Sequence, residues 1–214
     1  MDRVWVKEKI LLYGITDRTW LNGERLYNRV EEALKGGVSF LQLREKGIPK
    51  EEILSEAVEL KGLCRKYDVP LIINDDVELA VKSDADGVHV GQKDMDVREA
   101  RKLLGPDKIL GVSARTVEQA VSAEKLGADY LGCGDVFGTA TKKDAGRLEL
   151  NVLKDICNAV SIPVVAIGGI KSDNIIKLKG SGISGIAVIS AVFGKNDAQS
   201  AAAELRKLAE NIIN

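Results

Sequence analysis

Short β-branched apolar runs alternate with longer stretches whose apolar residues recur three and four apart, and the pair repeats from residue 10 to the end of the chain. ILLYGITD (10–17), SFLQLRE (39–45), PLIINDD (70–76), GVHVG (87–91), KILGVSA (108–114), ADYLGCGDVF (128–137), PVVAIGG (163–169) and GIAVISAVFG (185–194) predict eight strands. ERLYNRVEEALKGG, KEEILSEAVELKGLCRKYD, DVREARKLLG, TVEQAVSAEKLG, LNVLKDICNAV, SDNIIKLKGSG and DAQSAAAELRKLAENII predict helices between and after them, and VELAVKSD carries the weakest helical pattern. Strands that are apolar throughout and separated by helices belong to a parallel sheet covered on its faces. Eight such units in 214 residues, about 27 residues each, predict an α/β fold built as a single (β/α)8 TIM barrel over residues 1–214. Residues 1–9 form an extension before the first strand. An open doubly wound sheet is the alternative, but no GxGxxG follows the first strand and eight parallel strands would make a wide open sheet.

Composition narrows the partners. With 31 Lys and Arg against 32 Asp and Glu, the formal charge is −1, and the basic residues are interleaved with carboxylates rather than gathered into the patch that nucleic acid or anionic lipid needs. No apolar stretch reaches the ~18 residues of a membrane span, and the opening MDRVWVKEKI is charged where a signal peptide is apolar. Three separated cysteines, Cys64, Cys133 and Cys157, include no CxxC pair. The expectation is a cytoplasmic protein without nucleic-acid or membrane partners, acting on small molecules.

In such a barrel the chemistry lies where the strands end and in the loops that follow. Gln42, Arg44 and Lys46 fall on one face of the second strand, with Leu41 and Leu43 on the other. Two cations at the barrel mouth would want an anion, although a frayed, solvated strand end would explain the same residues. The third strand ends in Asn74, Asp75 and Asp76, and the loop after the fourth carries Asp94. Two carboxylates and an amide oxygen suit Mg²⁺, which commonly takes one or two protein carboxylates plus substrate phosphates. One of Asp75 and Asp76 is expected to cap the next helix, and Asp94 has the same alternative at DVREARKLLG. FGTATKKDAG (137–146) offers Thr139, Thr141, Lys142 and Lys143 between glycines. Ser113 ends the fifth strand on the face of Gly111, and GGI (168–170) and Ile189–Ser190 end the last two, where barrels commonly bind phosphate through exposed amides. Arg44, Lys46, Lys142 and one Mg²⁺, set against Asp75 and Asp94, leave about three positive charges, a match for pyrophosphate. His89 reads as a packing residue inside the barrel.

QLREK (42–46), INDD (73–76), GVHVGQKD (87–94), GVSA (111–114), TATKKDAG (139–146) and AIGGI (166–170) resemble, in order and spacing, the motifs of the thiamin phosphate synthase family. The resemblance runs from the first strand to the last helix. It implies a Mg²⁺-dependent transferase on a (β/α)8 barrel that joins hydroxymethylpyrimidine pyrophosphate to hydroxyethylthiazole phosphate by a largely dissociative substitution. It also implies the roles. Gln42 touches the pyrimidine; Arg44, Lys46, Asn74, Ser113 and Lys142 bind the pyrophosphate; Asp75 and Asp94 hold Mg²⁺. Thr139 and Thr141 contact the thiazole phosphate, whose cradle is completed by amides at Gly169, Ile189 and Ser190. Arg44, Lys46, Ser113 and Lys142 carry the catalysis, and analogy suggests a homodimer.

The sequence departs from that pattern at three positions. Arg115 replaces a common histidine, and Asp135 and Gly138 stand where prolines are usual, which predicts a more mobile loop carrying Thr139 and Lys142. The related thiazole tautomerases resemble the synthases and rely on the histidine that Arg115 replaces, which favours the synthase. A sensor that keeps the phosphate cradle without turnover is the rival from another class.

Overall fold

The computed structural model describes residues 3–21, 23–138 and 147–213. Eight parallel strands, β1 (Leu12–Ile15), β2 (Phe40–Leu43), β3 (Leu71–Asn74), β4 (Gly87–Val90), β5 (Ile109–Ala114), β6 (Tyr130–Gly134), β7 (Val164–Ile167) and β8 (Gly185–Val188), close into a barrel in chain order. β1 pairs with both β2 and β8, with Leu12 opposite Ile186 and Tyr13 opposite Phe40. The helices are α1 (Arg3–Lys9), α2 (Leu26–Lys35), α3 (Lys50–Lys66), α4 (Val77–Lys82), α5 (Val97–Leu104), α6 (Val117–Lys125), α7 (Leu150–Ala159) and α8 (Ala198–Ile213). The single (β/α)8 barrel expected from the periodicity is therefore the fold.

Two apolar layers hold it. Leu41, Leu43, Leu71, Ile73, Val88, Leu110 and Leu131 point outward into a continuous core with the helices. Tyr13, Ile15, Phe40, Ile72, Ile109, Tyr130, Val165 and Ala187 fill the barrel interior. Alternate strand residues take the two layers because successive side chains point to opposite faces. Val6 and Ile10 join the interior layer, so the segment before β1 covers the barrel bottom. At that end Asp86 accepts from the Leu71 N–H and pairs with Lys61, while Asp129 accepts from the Leu110 N–H and pairs with Arg101. These carboxylates tie strand starts together, far from the mouth.

The structure shortens the expected strands, most of which have four residues. The eighth apolar run breaks at Val188: the carbonyl of Ile189 accepts from the Val192 and Phe193 N–H groups and that of Ser190 from Gly194, which makes a helical turn of 189–194. SDNIIKLKGSG forms only a 3-10 turn at Ile175–Leu178. Asn174 starts this turn with its side chain turned back to accept from the Lys171 N–H and donate to the Gly169 carbonyl.

Candidate active site

The end of β2 is assembled with the end of β1. The Thr16 N–H donates to the Gln42 carbonyl, and the Arg44 N–H donates to Thr16 Oγ1 at 2.9 Å. Gln42 and Arg44 are buried there, at 3% and 7% exposed. Arg44 Nη1 donates to Asp17 Oδ2 at 3.0 Å, yet among the described residues its buried Nε has no hydrogen-bond partner. A guanidinium braced on one edge and unsatisfied on another is costly unless an acceptor arrives, which is the behaviour of an anion site. Lys46, two residues on, is exposed beyond the strand. Between them Glu45 pairs with Arg18 at 2.7 Å, and burial holds its carboxyl above the ordinary value despite that cation. It belongs to the frame under the mouth. Asp17 is hard to find from the sequence, where its only signal is a carboxylate at the end of an apolar run that pairs with the strand of Arg44.

The two carboxylate loops resolve the capping ambiguity. Asp76 caps α4, accepting from the Leu79 N–H at 3.0 Å, and Asp96, not Asp94, caps α5, accepting from the Arg98 and Glu99 N–H groups. Asp75 adopts a left-handed backbone, φ 65°, and its N–H donates to the His89 carbonyl at the end of the neighbouring strand. Aspartate tolerates that conformation better than most residues. Asp94 accepts from the Gly91 N–H at 2.7 Å. Asp75 and Asp94 thus follow adjacent strands, since Asn74 is in register with His89, and neither is the capping residue of its helix. Among the described residues no three His, Cys, Asp or Glu side chains converge on one point. Two carboxylates short of an all-protein cage fit Mg²⁺, which fills its shell with water and phosphate oxygens.

Asp76→Ala should cost about 1 kcal/mol of stability through the lost cap with little change in turnover, as melting curves and an activity assay would show. Partial burial raises the Asp76 pKa, but Lys50 and the Leu79 N–H outweigh it and hold the group below the ordinary aspartate value. The cap's contribution is then fully present above the unfolded pKa and is lost as pH falls through the lower folded one.

Ser113, on β5, lies 2.9 Å from His89 Nε2, and its carbonyl accepts from Gln92 Nε2. The Arg115 N–H donates to Gln119 Oε1. On the far side of the mouth the loop after β6 is laid against the loop after β7. The Val136 N–H donates to the Ile167 carbonyl, Phe137 to Gly168, and Leu148 to Asp135. Gly169, at φ 65°, approaches the Gly138 carbonyl so closely that a Cβ could not fit between them. Gly169 and the residues leading to Thr139 therefore share one wall, and the turn that opens with Ile189 and Ser190 follows the adjacent strand. Asp135 is only 6% exposed and its neighbours are hydrogen-bonded across to the loop after β7; the loop expected to be looser is the stretch beyond it, which carries Thr139 and Lys142. Thr139, Thr141 and Lys142 lie outside the described residues.

His89, expected as interior packing, is inside the barrel but hydrogen-bonded at both ring nitrogens, to Tyr130 at 3.0 Å and to Ser113. Its register partner Asn74 ends β3 half-buried. The cysteines are unpaired, and burial pushes the thiols of Cys64 and Cys133 up to about 12 and that of Cys157 to about 11. None is poised as a nucleophile.

A parallel barrel whose C-terminal mouth gathers a braced arginine, two loop carboxylates and two glycine- and turn-lined loop ends is the layout of a barrel enzyme that acts on small molecules. The comparisons with known proteins make this specific. Residues 12–192 match the TMP-TENI family, thiamine monophosphate synthase. The thiamine-phosphate synthase of Clostridium tetani is 50% identical over 194 residues, covering 91% of this chain and 93% of that protein. That of Ruminiclostridium cellulolyticum is 46% identical over 208 residues, covering 96% and 99%. A solved thiamine phosphate pyrophosphorylase from Pyrococcus furiosus is 42% identical and superposes with a TM-score of 0.90, covering 98% of this chain and all of that one. The chain belongs to the thiamine monophosphate synthase family, and its activity is the transferase reaction that makes thiamine phosphate. No helix among the described residues is long and apolar enough to cross a membrane.

Proposed function

We propose that the chain, acting as one domain over residues 1–214, joins hydroxymethylpyrimidine pyrophosphate to hydroxyethylthiazole phosphate at the mouth described above, releasing pyrophosphate. The observation that carries this reading is Arg44, buried at the mouth, braced by Asp17 and left with an unpartnered Nε. Lys46, Asn74, Ser113 and, from the loop after β6, Lys142 complete the pyrophosphate seat, and Gln42 faces the pyrimidine. Thr139 and Thr141 with the amides of Gly169, Ile189 and Ser190 hold the thiazole phosphate. A homodimer in the cytoplasm accompanies this reading by family analogy.

Asp75 and Asp94 would hold Mg²⁺, whose chemistry there is to neutralise the pyrophosphate oxygens. The bond from the pyrimidine methylene to the pyrophosphate oxygen breaks first, its electron pair leaving with the pyrophosphate. The methylene carbon is then captured by the lone pair of the thiazole nitrogen. No proton has to be removed from the nucleophile, so no general base is needed. That agrees with the phenols in the barrel interior beneath the mouth, Tyr13 and Tyr130, which burial keeps protonated. Arg44, Lys46, Ser113 and Lys142 contribute by stabilising charge on the leaving group and by placing the two reactants.

The test follows pyrophosphate release and thiamine phosphate fluorescence with both substrates present. Chelation by EDTA should abolish turnover and added Mg²⁺ should restore it. Turnover that persists through chelation would overturn the assignment of Asp75 and Asp94.

A further inference from the structure

A chain of side-chain hydrogen bonds crosses the barrel interior and joins two of the groups assigned above to different parts of one substrate. Gln42 Nε2 donates to Tyr13 Oη at 2.6 Å, Tyr13 Oη lies 2.8 Å from Tyr130 Oη, Tyr130 Oη lies 3.0 Å from His89 Nδ1, and His89 Nε2 lies 2.9 Å from Ser113 Oγ. The sequence clears space for it. A Cβ on Gly111 would fall on the Tyr130 ring, and one on Gly132 would stand 2.9 Å from His89 Cε1. Tyr13 and Tyr130 are essentially inaccessible, and burial raises both phenol pKa values, so each keeps its single proton.

Such a chain has a direction. An amide nitrogen can only donate. Tyr13, having accepted from Gln42, donates its hydroxyl hydrogen bond to Tyr130, and Tyr130 donates its own to His89 Nδ1, which accepts. The imidazole then carries its hydrogen on Nε2 and donates to Ser113 Oγ. With that lone pair filled from below, the Ser113 hydroxyl hydrogen is released from the chain and turns toward the mouth. If the Gln42 amide were rotated, every bond would reverse, and the Ser113 hydrogen would be consumed by His89. Neither pattern moves a net charge. They differ in whether Ser113 can donate to an anion.

We propose that Tyr13, Tyr130 and His89 are positioning residues whose hydrogen-bond polarity, set by the Gln42 amide, presents Ser113 as a donor to the pyrophosphate, so that the pyrimidine and pyrophosphate seats are coupled through the barrel interior. The proposal rests on the placement of Gln42 and Ser113 in the reaction given above. Its consequence is selectivity: a ligand that turned the Gln42 amide would also withdraw the donor from the leaving group.

The chain has one histidine, so a protein labelled with ¹⁵N-histidine shows one imidazole. The wild-type protein should show a pyridine-type Nδ1 and a pyrrole-type Nε2, the Nε2–H tautomer. Tyr130→Phe removes the group that holds Nδ1 as an acceptor. It should mix the tautomers and lower kcat/KM for the pyrimidine pyrophosphate roughly tenfold, leaving the KM for thiazole phosphate unchanged. A merely structural tyrosine would alter the melting temperature without that split or the tautomer change. An Nδ1–H imidazole in wild type would overturn the proposal and needs no variant to fold; so would an unchanged tautomer and unchanged kinetics in Tyr130→Phe. Ser113→Ala separates the levels. Unchanged kinetics for the pyrimidine pyrophosphate would defeat the site reading and the proposal together. Impaired kinetics beside an Nδ1–H imidazole in wild type would defeat the proposal alone.

Discussion

Asp75→Asn should reduce thiamine phosphate formation by about 10²-fold or more at any Mg²⁺ concentration that saturates wild type, with the remaining rate requiring much more Mg²⁺. The choice of asparagine matters. Position 75 is left-handed, at φ 65°, and its N–H bridges to the His89 carbonyl. Alanine would add backbone strain of roughly 1–2 kcal/mol to the loss of the carboxylate, and the two effects would be confounded. Asparagine tolerates the same conformation and keeps one oxygen donor, so the loss reads the charge alone. Mg²⁺ titrations of activity for wild type, Asp75→Asn and Asp94→Asn would check it. An Asp75→Asn enzyme with wild-type rate and wild-type metal dependence would remove Asp75 from the metal site. Asp76, its neighbour, serves as the control, because its carboxylate is committed to the first turn of α4.

The barrel was legible because eight apolar runs separated by amphipathic stretches have few other solutions. What the pattern could not show was where each ladder stops. Apolar residues continue past the last paired residue, with Val136 and Phe137 after β6 and with Ile189, Val192 and Phe193 after β8, where the backbone turns instead to bond locally or to a neighbouring loop. In SDNIIKLKGSG the period suggested a helix, but Asn174 spends its side chain on the loop after β7, and Gly180 and Gly182 are left-handed. The polar groups of the mouth were visible as residues at strand ends. Their division of labour was not. Adjacent aspartates look alike in sequence, and only the left-handed turn at Asp75 separates ligand candidate from cap. Strand parity placed His89 inside the barrel, yet its partner Tyr130 lies 41 residues away, a proximity that exists only once the barrel has closed. Asp17 and Arg44, 27 residues apart, meet for the same reason.

That pair gives the second large effect. Arg44→Gln should lower kcat/KM for the pyrimidine pyrophosphate by about 10²–10³-fold, because it removes the cation that is both buried and held in place before the substrate arrives. Arg44→Lys should recover only part of this, since an ammonium keeps the charge but not the planar fork that meets Asp17 on one edge and an anion on another. Arg44→Gln also removes the counter-charge of Asp17, whose side chain is 13% exposed and keeps the Thr19 N–H as a donor. The penalty should be about 1–3 kcal/mol, below that of a fully buried broken pair because some solvent remains. Asp17→Asn with Arg44 intact leaves the more deeply buried cation without its counter-charge, so it should also cost about 1–3 kcal/mol of stability, and it should cost activity about tenfold by unseating the guanidinium rather than removing it. The double variant Asp17→Asn, Arg44→Gln separates the two roles: it should regain most of the lost melting temperature and none of the lost activity. Recovery of activity alongside stability would mean that Arg44 matters to the reaction only through the fold, and the pyrophosphate seat would have to be rebuilt around Lys46 and Lys142.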